Sequence, residues 1–168
     1  MMATEKMAGE PFDYIAEREL FALRWREPNP EAVGTLTRLM KARASELGAP
    51  LLVITIVDAD APVPDRATRT AFEQGMLVHG PEVVASYHAV LVGGGLKVAM
   101  MRSILTALML VVGRRGMKAT VHKNIADMAE FVGERAGYDA RSFLDWLCRH
   151  EFVPRAEVDA ALDRLNAG

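Results

Sequence analysis

One cysteine in 168 residues, Cys148, excludes an internal disulfide framework and any zinc site built from several thiolates. Aromatic residues are scarce at 7%, with three Tyr and two Trp. Charge of neither sign dominates: 20 Lys and Arg stand against 22 Asp and Glu, a formal net charge of −2. That balance lacks the basic surplus with which a dedicated nucleic-acid binder neutralises phosphates, so no nucleic-acid partner is expected. The opening residues, MMATEKMAGE, carry Glu5, Lys6 and Glu10 and no apolar stretch of the kind a secretory signal needs. Residues 1–11 therefore read as a flexible, solvated tail. The longest apolar run, 98–112, falls short of the roughly 20 residues that span a bilayer, and Arg102, Ser103 and Thr106 interrupt it. No membrane partner is expected, and a lone thiol suits the cytoplasm.

What is present is enough apolar material for a core: 51% hydrophobic residues with 25% charged, the balance of an ordinary globular protein. Ten methionines are the unusual entry. Two short strands are predicted over 12–26, the second with Phe21, Leu23 and Trp25 on one face. Asn29 caps the next helix with Pro30 in its first position, Val33, Leu36, Met40 and Leu47 share a face, and Gly48 stops it. Residues 51–57, LLVITIV, are β-branched and apolar on both faces, as a strand covered on both sides must be. A Pro-rich loop, DADAPVPD, leads through Asp65 as N-cap to a helix ending near His79. A second buried strand at 83–92 turns through Gly93, Gly94 and Gly95 into the apolar helix 96–112. A short strand near 118–122, a helix capped by Asn124, and two more helices at about 139–150 and 154–165 complete the chain. Strands alternating with helices predict an α/β fold with a mixed, mostly parallel five-stranded sheet.

This order, carried by LLVITIVDADAPVPDRATRTAF and HAVLVGGGLKVAMMRSILTALMLV, resembles the STAS fold of anti-sigma-factor antagonists and sulfate-transporter tails. The likeness covers 12–136, a STAS-like domain of the uncharacterised single-domain bacterial kind, and leaves 137–168 as a C-terminal helical extension. It implies a small, non-enzymatic regulatory or scaffolding module that binds another protein. STAS antagonists carry a phosphorylatable serine in an Asp-Ser-x-Gly motif after the third strand. The matching segment, 58–69, has neither Ser nor Gly, and its nearest hydroxyl is Thr68, with Asp65 near the expected position. A phosphoserine switch of that kind is not expected.

Two constellations carry chemistry. Asp58 and Asp60 follow a central strand, where α/β proteins place ligands. With Asp65 they have the makings of a Mg²⁺ site, one Asp as nucleophile and the other moving a proton, and Lys97 available to neutralise charge. No later acidic pair completes that machinery, and solvated turn residues have the same pattern. Gly93, Gly94, Gly95 and Lys97 offer backbone N–H groups and a cation to a small anion at a helix start. They match neither G-x-G-x-x-G nor a P-loop, so a tight turn explains them equally and no cofactor is expected. His79, His88, His122 and His150 lack metal-ligand spacing. Cys148 and His150 point about 200° apart on a helix, which argues against a dyad and favours Cys148 as a small buried residue. Ser103 and Ser142 lack a nucleophile elbow. Arg114, Arg115 and Lys118 form a basic cluster at a helix end.

The helix 96–112 is apolar further round than a cover for one sheet face requires. Its excess needs covering, either by the C-terminal helices through Phe143, Trp146, Leu147, Val158, Leu162 and Leu165, or by a second copy of the chain. Met100, Met101, Leu105, Leu108 and Met109 are the interface candidates, since flexible thioethers suit an adaptable contact. Three functions remain open: a protein-binding module acting as a homodimer, a Mg²⁺-dependent phosphoryl-transfer or hydrolytic enzyme using Asp58 and Asp60, and a small-ligand or lipid-binding module.

Overall fold

A computed structural model describes residues 5–7, 11–114 and 116–168. They form one six-stranded mixed sheet with six helices. The strands are β1 (Glu5–Met7), β2 (Phe12–Glu17), β3 (Leu20–Trp25), β4 (Leu51–Asp58), β5 (Val84–Val92) and β6 (Lys118–Val121). The helices are α1 (Pro30–Leu47), α2 (Arg66–Val83), α3 (Leu96–Gly113), α4 (Ile125–Ala136), α5 (Ala140–Arg149) and α6 (Arg155–Ala167). Five strands and the alternation were expected; the sixth is β1. It lies inside the expected tail and pairs antiparallel with β2. The rest of that tail, 1–4 and 8–10, lies outside the described residues, as do Arg115 and the His79 side chain.

The strands stand side by side in chain order, β1 to β6. β1, β2 and β3 are antiparallel neighbours, while β3 through β6 run parallel. Parallel strands added in one direction through right-handed crossovers place every crossover helix on the same side. So it is here: α1, α2 and α3 pack on the face carrying Phe21, Leu23, Trp25, Val53 and Tyr87. The chain's last three helices cover the opposite face, where Ile15, Ala22, Ile54, Ile56 and Val90 meet Met128, Phe143, Leu147 and Val158.

Local chemistry sets the helix ends. Asn29, Asp65, Asn124 and Asp139 each accept a backbone N–H from the first turn of their helix. Gly48 and Gly137 close α1 and α4 in the left-handed conformation. The regular part of α2 ends at His79, because Gly80 leaves helical geometry before Pro81. Glu17 at the end of β2 anchors α5. One carboxylate oxygen accepts from the Tyr138 hydroxyl at 2.8 Å and the other from Trp146 Nε1 at 3.0 Å. Cys148 is half-buried against the same cluster.

Candidate functional site

β4 and β5 are adjacent, with Asp58 opposite Val92, so the loops that follow them share one edge of the sheet. Lys97 Nζ reaches the Asp60 carbonyl at 3.3 Å. A Cβ on Gly93, whose φ is +96°, would lie 2.8 Å from the Ala59 Cβ. Glycine is therefore required there both for conformation and for the approach of the two loops. Gly94 and Gly95 are exposed, and Gly95 starts α3 with no side-chain cap. The two expected loops do converge.

The expected acidic trio does not. Asp58 lies on the strand face shared by Ile54 and Ile56, toward the C-terminal helices, and its carboxylate is held by Arg24. Nε and one terminal nitrogen of Arg24 each lie 2.6 Å from the same Asp58 oxygen. Asp65 instead caps α2, accepting from the Thr68 N–H at 2.7 Å. That bond, and then the Thr68 hydroxyl, hold its carboxyl below the ordinary carboxylate range. Thr68 is buried, so its hydroxyl is not presented to a kinase. Among the described residues no group of three or more His, Cys, Asp or Glu side chains is placed to hold a metal ion.

α3 carries two stripes. Inward, Val98, Met101, Met109 and Val112 are buried, and Leu105 and Leu108 are half-buried behind them. Of the five expected interface residues, Met101 and Met109 thus belong to the core, because the crossover from β5 to β6 commits that side of the helix to the sheet. Outward lie Leu96, Met100, Ser103, Ala107 and Leu110, at alternating steps of four and three. Leu96 is 88% exposed, Met100 49% and Leu110 61%. The C-terminal helices do not cover them. Phe143, Trp146, Leu147, Val158, Leu162 and Leu165 all pack on the far face of the sheet, which overturns the intrachain cover considered above. By length and composition α3 is long and apolar enough to cross a bilayer, and 22% of it is buried; it is also the crossover between the paired strands β5 and β6. Arg102 fastens the helix to the loop after β6, donating to the His122 carbonyl at 2.9 Å and the Lys123 carbonyl at 3.1 Å.

Between α2, α3 and the sheet lies a cavity walled by Trp25, Val57, Phe72, Met101, Leu105 and Met109, with Thr55 and Tyr87 hydrogen-bonded at its floor. Its volume of about 40 Å³ holds roughly three waters. The Trp25 indole N–H is buried here without a protein partner, and a water in this cavity is its natural acceptor.

A further cluster, on the opposite face, escaped the sequence reading. His88 Nδ1 lies 2.9 Å from His122 Nε2, and His88 Nε2 lies 3.0 Å from Ser86 Oγ. All three residues are buried. The Phe131 ring of α4 covers both imidazoles at 5.2 and 5.7 Å, with the Arg135 guanidinium stacked 3.6 Å above it. Desolvation, with His122 and Arg135 adding to it, pushes His88 down to about 4. Burial lowers His122 as well, Asp127 opposing it. The signal in the sequence was Ser-x-His within a strand, which puts both side chains on one face. His122 joins them only through the β5–β6 pairing, which no local pattern discloses.

No family model, no curated protein and no solved structure matches the chain.

Proposed function

We propose that the chain is a cytoplasmic, STAS-like regulatory or scaffolding module that works by binding protein, and that its first partner is a second copy of itself. The observation that carries this is the outward stripe of α3. Steps of four and three are the repeat by which one helix seats against another. Leu96, Met100, Ser103, Ala107 and Leu110 hold no charge, so two copies meeting about a twofold axis bury no like-charged pair. Small residues at 103 and 107 let two backbones approach, while Leu96 and Leu110 supply apolar area at either end. The STAS-like part of the reading rests on the hairpin followed by three strand–helix–strand crossovers. The phosphoryl-transfer reading loses its nucleophile, since Asp58 is engaged by Arg24.

Multi-angle light scattering of the purified chain is the direct test. A dimer at micromolar concentration, turned monomeric by Leu110→Asp with an unchanged melting temperature, is the expected result. A wild-type monomer up to several hundred micromolar overturns the self-association.

A further inference from the structure

We infer that Ser86, His88 and His122 form a nucleophile–base–orienter relay for acyl transfer, opening on the groove beside β6 and acting on activated carboxylic esters or thioesters. This relay lies on the opposite side of the sheet from α3 and is independent of protein binding there.

The three side chains are joined by consecutive hydrogen bonds through the two nitrogens of His88. The Ser86 hydroxyl touches His88 Nε2 at 3.0 Å, and the other nitrogen of the same ring touches His122 at 2.9 Å. With its proton on Nδ1, donated to His122 Nε2, His88 keeps a lone pair on Nε2 for the Ser86 proton. His122 fixes that tautomer and ring angle, the part played by the third member of a Ser–His–acid triad. The network is not sealed in the core. Ser86 and His88 border a groove of about 690 Å³ together with Pro50, Leu52, Phe131 and Arg135. Lys118 pairs with Ser86 across the parallel ladder and so shares its face. It and Arg135 line the same groove and give it positive charge, which favours an acyl group whose carbonyl oxygen becomes anionic.

The step balances with water as the only co-reactant. Ser86 Oγ bonds to the acyl carbon while its proton passes to His88 Nε2. The bond from that carbon to the leaving oxygen or sulfur breaks, and the leaving group takes the proton from His88. Water then attacks the acyl-serine, giving its proton to His88 and releasing the acid, and the Ser86 oxygen recovers that proton. His88 is a weak base, its imidazolium disfavoured by burial and by Arg135. It therefore suits acyl donors with good leaving groups rather than amides. The charged groups around the pair are Arg135 and Asp127 from α4, Lys118 from β6 and Glu19 before β3; Arg135 opposes protonation of His88, and Asp127 favours that of His122.

The test is the intact mass of the full chain after incubation with a fluorophosphonate, followed by peptide mapping, and turnover of p-nitrophenyl acetate. Wild type should gain one adduct, on Ser86. Ser86→Ala should lose it and cut turnover at least tenfold, while His88→Gln should slow labelling at least tenfold with the fold intact by circular dichroism. His122→Gln, as the positioning change, should shift the pH–rate profile. Wild-type rates should hold down to about pH 5, below the point where a histidine of ordinary pKa has lost its lone pair. An unlabelled wild type, an adduct elsewhere, labelling of Ser86→Ala or wild-type labelling rates in His88→Gln each overturn the assignment.

Discussion

Arg24 and Asp58 sit one strand apart, and two nitrogens of the guanidinium converge at 2.6 Å on one carboxylate oxygen. The remaining terminal nitrogen of Arg24 donates to the Glu151 carbonyl at 2.9 Å, in the turn between α5 and α6. The ion pair thus binds the sheet to the helices on its second face. Removing one partner of a mostly shielded pair leaves the other charge uncompensated. Asp58→Asn should cost about 1–3 kcal/mol in urea unfolding, and Arg24→Met, which keeps most of the stem packing, a comparable amount. If both changes are silent in urea unfolding, the pair has no structural weight.

Two glycines one residue apart should answer differently to the same change. Gly93 has φ +96° and meets Ala59, whereas Gly94 has open space around it. Gly93→Ala forces a left-handed backbone and a clash, which should lower stability by about 1–3 kcal/mol. Gly94→Ala should stay within about 0.5 kcal/mol of wild type. Thermal denaturation of the two variants side by side checks the contrast.

The α3 pairing makes a geometric prediction. In an antiparallel pair centred on Ser103, that residue meets its own copy, and Leu96 lies opposite Leu110 of the other chain. In a Cys148→Ser background, Ser103→Cys should cross-link to a covalent dimer under mild oxidation. Leu96→Cys alone should not, but should do so when mixed with Leu110→Cys. Cross-linking of Leu96→Cys to itself would instead require a parallel arrangement, seen at once on a non-reducing gel.

Acid should destabilise the fold before its carboxylates titrate. The folded-state pKa of His88 is depressed to about 4 from an ordinary 6.5. Between those values the unfolded chain binds the extra proton, so stability is fully present above pH 6.5 and falls as pH drops toward 4. The loss from this residue approaches about 3 kcal/mol, with His122 shifted in the same direction. Urea midpoints should decline from pH 7.5 to pH 4.5, and His88→Gln should flatten most of that decline.

Much of the scaffold was legible from sequence because its signals are local. Asn29 with Pro30, Asp65, Asn124 and Asp139 cap helices within three residues, and LLVITIV announces a strand buried on both sides. The orientation of α3 was less so. Its composition shows an excess of apolar surface, but which methionines face the sheet depends on where the crossover lands, and Met101 and Met109 fell inward. β1 was invisible because three residues pair only once β2 presents its edge. Asp58 read as a ligand-loop carboxylate because its partner, Arg24, is 34 residues away on a neighbouring strand. His88 and His122 were separated in the same way.

The order in which the two faces of the sheet are clothed has a consequence for synthesis. As the chain leaves the ribosome, every strand and all three crossover helices emerge before α4, α5 and α6 do. Until the last of these is released, Ile54, Ile56 and Val90 present a sticky, one-sided sheet to the crowded cell. A chain truncated after residue 136 should share that fate and accumulate in inclusion bodies. Residues 137–168, together with α4, are thus what shields the second face of the sheet.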